Sequence, residues 1–235
     1  INNREDAGTY FKSPNTSSER DSETNAALKE TALVLDYKNL SPGQEVGVTR
    51  IFDTDVKDLT SYKTIKMEIH YATEAEKVPV RFAIQMGEGS LEGSSNYYEW
   101  SFRPVKYECS SSERVEDCHE MNWLSNAFAM AIKTFTDMKI GRVPPYTEPV
   151  EIDLGGEREE KLKLVGNPSM TSVDWIRFVI IADEDASPAD LKGTFWLNDL
   201  RLSGMDLDWG YAARVSGQMN FSDFATVSGA MRYQD

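Results

Sequence analysis

The feature that most narrows what this chain can fold into is a strict two-residue alternation. Ile65, Met67, Ile69 and Tyr71 alternate with Lys66, Glu68 and His70, and Val80, Phe82, Ile84 and Met86 repeat the pattern. In an extended segment this period puts the apolar side chains on one face. A strand that is apolar on one face cannot bury itself, so two sheets must pack together. Further β-like segments recur at 32–37, 46–52, 96–103, 150–154, 161–165, 173–182 and 194–202, separated by turn residues. Together with 63–72 and 78–86 they make nine, which suits a β-sandwich of jelly-roll type. The run Ile176-Arg177-Phe178-Val179-Ile180-Ile181 is more continuously apolar, as a central strand is.

One stretch carries two periods. Met121, Leu124, Phe128, Ala131, Phe135 and Met138 fall at helical spacing, whereas Phe128, Met130 and Ile132 alternate. This predicts a brief strand and then a helix around 131–139. The expected class is therefore all-β with at most one short helix.

Of the 235 residues 40% are hydrophobic, enough for a core, and the formal charge is −14. With no basic run longer than two residues, nucleic-acid binding is excluded. No stretch reaches the roughly 20 apolar residues of a membrane helix. The start, Ile1-Asn2-Asn3-Arg4-Glu5, lacks a signal-peptide layout and reads as an excerpt from a longer polypeptide. Residues 1–31 are polar, a linker or arm. Residues 32–203 form the expected sandwich.

Residues 204–235 change character. Tyr211, Ala213, Val215, Gly217, Met219 and Phe221 alternate with Ala212, Arg214, Ser216, Gln218 and Asn220. After a tight turn at Ser222-Asp223-Phe224, Ala225, Val227, Gly229, Met231 and Tyr233 alternate with Thr226, Ser228, Ala230, Arg232 and Gln234. This is a hairpin with one lipid-compatible face. Residues 210–220 span roughly 36 Å along the strand, about 25 Å of height at a 45° tilt, which matches an outer-membrane apolar band. Trp209, Tyr211, Phe221, Phe224 and Tyr233 would form the aromatic girdles. An amphipathic edge hairpin of a soluble sandwich fits the same periodicity.

Cys109 and Cys118, the only cysteines, flank a polar segment that reads as a loop. Their spacing suits a local disulfide, with two free thiols as the alternative; a zinc site lacks ligands beyond His119. His70 lies on the polar face of its strand and reads as a surface histidine, and no Ser-His-Asp set or opposed carboxylate pair stands out, so no enzyme is expected. Asp183-Glu184-Asp185 with Asp190 offers oxygens to Ca²⁺, yet the alternating calcium loop is missing and Pro188 interrupts; a solvated loop, and no cofactor, is the expectation. Tyr97, Tyr98 and Trp100 could stack on sugar rings or meet a partner, although alternate aromatics in a strand are more often core. Gly166-Asn167-Pro168 reads as a turn.

Several segments in order resemble the SprA (also called Sov) family of very large outer-membrane proteins. They are Ile1-Asn2-Asn3-Arg4-Glu5-Asp6-Ala7, Asp58-Leu59-Thr60-Ser61-Tyr62-Lys63, Asn96-Tyr97-Tyr98-Glu99-Trp100 and Val165-Gly166-Asn167-Pro168-Ser169-Met170. The strongest is Gly193-Thr194-Phe195-Trp196-Leu197-Asn198-Asp199-Leu200-Arg201-Leu202, followed by Trp209-Gly210-Tyr211-Ala212-Ala213 and Ser222-Asp223-Phe224-Ala225. Asn167, Pro168, Trp196, Asn198, Leu200, Arg201 and Trp209 carry the likeness. The resemblance implies a segment of the type IX secretion translocon, a giant outer-membrane β-barrel that exports proteins used in gliding motility. Its partners would be the rest of the barrel, secreted cargo, accessory proteins and, through 210–235, the lipid bilayer. The sandwich would stand on the extracellular side, shaping or gating the pore. The rival function is a carbohydrate-binding jelly roll or an adhesin module of a secreted surface protein.

Overall fold

The computed structural model describes residues 32–52, 57–90, 96–112, 114–205, 212–221 and 225–234, the last two segments by their backbone. The expected arm at 1–31, the turn at Ser222-Asp223-Phe224 and Trp209 lie outside the described residues. The chain divides into two units, Ile1–Gly204 and Met205–Asp235.

In the first unit the strands are β1 (Leu33–Lys38), β2 (Glu45–Ile51), β3 (Tyr62–Ala72), β4 (Val80–Gly87), β5 (Tyr97–Phe102), β6 (Phe128–Ala131), β7 (Val150–Gly155), β8 (Glu160–Val165), β9 (Trp175–Ala182) and β10 (Lys192–Met205). Two helices, α1 (Val115–Asn126) and α2 (Ile132–Asp137), lie either side of β6. Four strands form one sheet in the order β1-β10-β3-β6, and six form the other in the order β2-β9-β4-β5-β8-β7. The chain changes sheet after β1, β2, β3, β5, β6 and β9, which is the interleaving of a jelly roll, and the β7–β8 hairpin widens the second sheet. All nine expected strands are present. The short helix after a brief strand is also found, as β6 and α2.

The alternation sets the packing as expected: Ile65, Met67, Ile69 and Tyr71 of β3 and Val80, Phe82, Ile84 and Met86 of β4 are all buried in one core. Aromatic rings bridge the sheets. Phe195 of β10 lies 4.9 Å from Phe82 and 4.7 Å from Tyr71, and Trp100 of β5 lies 4.3 Å from Phe128 of β6. Phe135 of α2 meets Tyr98 edge-on at 5.9 Å. The phenols of Tyr37 and Tyr71 share a buried hydrogen bond of 2.8 Å, and burial above all pushes both pKa values up, so both stay neutral.

On the opposite face of the six-stranded sheet a polar row runs straight across all six strands. The registers align Thr49, Arg177, Gln85, Glu99, Lys163 and Glu151 in turn. Gln85 donates from Nε2 to Glu99 Oε2 at 2.7 Å, and Lys163 pairs with Glu151 at 3.4 Å. Burial, as the largest effect, raises the Glu99 pKa.

The hairpin unit consists of β11 (Ala212–Phe221) and β12 (Ala225–Gln234), paired antiparallel with each other. Its register sets Ala213 against Tyr233, Val215 against Met231, Gly217 against Gly229, Met219 against Val227 and Phe221 against Ala225. The two alternating apolar sets of the sequence are thus partners residue by residue.

Two expectations need correction. The described residues hold two helices rather than at most one, and the polar segment between the cysteines is not all loop, because α1 begins at Val115. The cause is that α1 buries polar side chains, so it leaves no apolar stripe at helical spacing. Met121 and Leu124, which suggested such a stripe, are exposed.

Gly87, at the end of β4, is required by its neighbour: a Cβ there would lie 2.0 Å from Trp175 Cζ2, and Trp175 is itself buried. Gly87→Ala should therefore destabilise the sandwich by about 1–3 kcal/mol, measured by urea unfolding, because the ring must move out of a packed site.

Candidate functional site

The most unusual chemistry lies where α1 covers the outer face of the four-stranded sheet. On β3 the residues facing away from the sandwich core include Glu68 and His70, and both are buried, at 4% and 2% exposure. The side of α1 turned to the protein carries Cys118, His119, Asn122, Trp123 and Asn126, spaced i, i+1, i+4, i+5 and i+8 as on one helical face. An apolar helix would leave the strand's polar groups unsatisfied. This one supplies partners instead.

Asn122 binds the β3 backbone as a neighbouring strand does. Its Oδ1 accepts from the Tyr71 N–H at 2.9 Å and its Nδ2 donates to the Tyr71 carbonyl at 2.7 Å. The strand β6 pairs with β3 only from Thr64 to Met67, so Asn122 takes over farther along β3. One turn on, Asn126 repeats the device with Val105, accepting at 2.8 Å and donating at 3.0 Å. The Cys109–Cys118 disulfide ties the first turns of α1 to the chain before it.

Beside these staples the two histidines meet. His70 Nε2 and His119 Nδ1 are 2.8 Å apart, the rings are stacked with centroids 5.1 Å apart, and Trp196 of β10 stacks on His70 at 4.8 Å. Trp123 packs against His70 at 5.3 Å. The surface position expected for His70 is thus corrected: α1 covers the polar face of β3. Burial, with the neighbouring His119 adding to it, lowers the His70 pKa from 6.5 to about 3, and burial also lowers that of His119.

The other singled-out residues fall as follows. Tyr98 and Trp100 are core side chains at 1% and 0% exposure, so neither can offer a ring to a sugar or partner, and burial drives the Tyr98 pKa up to about 12. Trp100 is held further by its Nε1 donating to Glu160 Oε2 at 3.1 Å. Tyr97 is half-buried and tilts against Trp175 at 6.3 Å. The Asn167 N–H donates to Asn96 Oδ1 at 2.9 Å, and the Pro168 carbonyl accepts from the Tyr98 hydroxyl at 3.1 Å, so this turn anchors β5. Trp196, Asn198, Leu200 and Arg201 all lie on β10; Leu200 is exposed, and Arg201 contacts Asp199 and sits 3.7 Å from the buried Glu68. Asp183 is taken by Arg103 at 2.6 Å, and among the described residues no three His, Cys, Asp or Glu side chains converge to hold a metal. No signal in the sequence pointed to the His70–His119 pair, since its members are 49 residues apart.

These observations define a class: a jelly-roll sandwich with a helix docked by polar contacts, followed by an amphipathic hairpin of two ten-residue strands. The family model SprA_N, described as motility related/secretion protein, matches residues 14–235, and the chain belongs to that family. It is a motility- or secretion-related protein, as the ordered motifs implied. No curated protein matches it.

Two outcomes test the docking of α1. Asn122→Leu removes both partners of the Tyr71 peptide groups and should cost about 2–4 kcal/mol in urea unfolding, whereas Met121→Gln on the exposed face should change stability by less than about 0.5 kcal/mol. Reducing the Cys109–Cys118 bond, which closes a short loop, should lower stability by about 2–3 kcal/mol and shift the thermal midpoint downward.

Proposed function

We propose that the chain is a structural and gating segment of an outer-membrane protein-secretion translocon of the type IX kind, with the hairpin forming part of the barrel wall. The observation that carries this reading is the register of β11 and β12, which sets Val215 against Met231 and Met219 against Val227. Each strand is ten residues long, within the roughly 9–11 that a tilted transmembrane strand needs. A lone two-stranded hairpin is marginal in water, so these strands call for neighbours on their outer edges, which a barrel supplies.

Orientation follows from turn length. Only three residues separate Phe221 from Ala225, and outer-membrane barrels keep short turns on the periplasmic side. The chain then enters β11 from the extracellular side, where the sandwich would stand over the pore. Its work there is shape and packing rather than catalysis or cofactor chemistry, with secreted cargo, accessory proteins and the remaining barrel strands as partners. Burial of Tyr98 and Trp100 weighs against the carbohydrate-binding alternative, because the platform that reading needs is core.

Val215→Arg and Ser216→Arg in the parent protein separate the possibilities. An arginine on the lipid face near the midplane costs about 2–4 kcal/mol, so the first variant should lose outer-membrane assembly while the second keeps it. Equal assembly of both in outer-membrane fractions would rule out the wall.

A further inference from the structure

We infer that the His70–His119 pair makes the docking of α1 proton-sensitive, so that acidification loosens this helix from the outer face of the four-stranded sheet while the sandwich beneath it stays closed.

The hydrogen bonding demands that the accepting ring be neutral, and burial of the other ring opposes a charge there. Of the two facing nitrogens, His70 Nε2 and His119 Nδ1, 2.8 Å apart, one must donate and the other accept. His70 Nδ1 is buried and has no hydrogen-bond partner among the described residues. The least costly assignment therefore leaves a lone pair at Nδ1 and the proton on Nε2, which donates to His119 Nδ1. A second proton on His70 would place a charged N–H at Nδ1 with nothing to receive it. A second proton on His119 would go to Nδ1 and turn the acceptor into a donor facing a donor. The first buries a charged donor without a partner, and the second breaks the hydrogen bond of the pair.

The surroundings do not rescue the cation. Trp196 from β10 and Trp123 from α1 cover His70; the charged groups on this face include Lys66 and Glu68 of β3, Asp36 of β1, which is bound by Thr194, and Arg201 of β10, 3.7 Å from Glu68. Asp199 of β10 is also in contact with Arg201. On α1 the Arg114–Asp117 pair is exposed and bound to itself at 3.0 Å. Loosening has a defined hinge, because the disulfide holds α1 at Cys118, one residue before His119. The helix can swing but cannot leave.

The sign of the effect follows from linkage. With α1 docked, His70 binds a proton only near pH 3; with α1 undocked it titrates at about its ordinary 6.5. The undocked form thus holds more protons throughout that window, so docking is fully favoured above about 6.5 and weakens as pH falls toward 3. Between pH 7.5 and 5.0 His70 alone should raise the opening equilibrium of α1 roughly 30-fold, and His119 adds to this.

Hydrogen exchange on the 235-residue chain, corrected for the intrinsic pH dependence of exchange, reads this directly. The amides of α1 should lose roughly 30-fold protection between pH 7.5 and 5.0 while those of β9 keep theirs. In the His70→Gln/His119→Asn variant the Gln amide nitrogen replaces Nε2 and the Asn oxygen replaces Nδ1, so the bond remains without a titratable group, and the pH dependence should vanish. Unchanged protection of α1, an equal loss in β9, or the same loss in the variant would overturn the inference. NMR titration of the wild-type ring protons gives a check that does not depend on the variant folding. With two histidines in the chain, both signals should stay at the neutral position while α1 is protected; a midpoint near 6.5 with α1 still docked would also overturn it.

Discussion

Phe195 is a central contact through which the two sheets become one body. It sits on β10 between β1 and β3, contacts Tyr71 within its own sheet, and reaches across to Phe82 in the other. Gly193 lets the same strand approach closely, since a Cβ there would come within 2.7 Å of the Tyr37 hydroxyl. The Gly193–Leu202 stretch that carries the strongest family likeness is thus the strand that closes the sandwich core. Its outward member, Trp196, supports His70 on the other side of the sheet.

The two faces of the four-stranded sheet are buried by different physics. The inner face is apolar and packs by area, which tolerates many partners of suitable volume. The outer face carries Glu68 and His70 and is covered by hydrogen bonding from α1, which tolerates few. Polar docking is directional and depends on protonation, whereas apolar packing is neither. The conditional part of the fold therefore lies on this outer face rather than in the core.

The hairpin presents the opposite case. It has a repeating amphipathic pattern and a clear register, yet its two strands pair only with each other among the described residues. A sandwich satisfies its own backbone within its sheets, while a two-stranded ribbon leaves both outer edges to be met by something else. On the proposed barrel reading, neighbouring strands would meet those edges.

Period-two alternation is local, written in neighbouring residues, so the sequence by itself determined nine strands, the two-sheet packing, the brief strand before α2 and the pairing partners within the hairpin. It also left Tyr98 and Trp100 with the correct alternative of core. What it left hidden was α1, because its inward stripe mixes buried Cys118, Asn122, Trp123 and Asn126 with half-buried His119 and is only partly apolar, while Met121 and Leu124 imitate an apolar stripe on the exposed side. Only the tertiary structure decided that His70 is buried and paired. That outcome depends on which element covers the polar face of β3, and the covering groups come from 49 and 51 residues away, a distance over which no periodicity speaks.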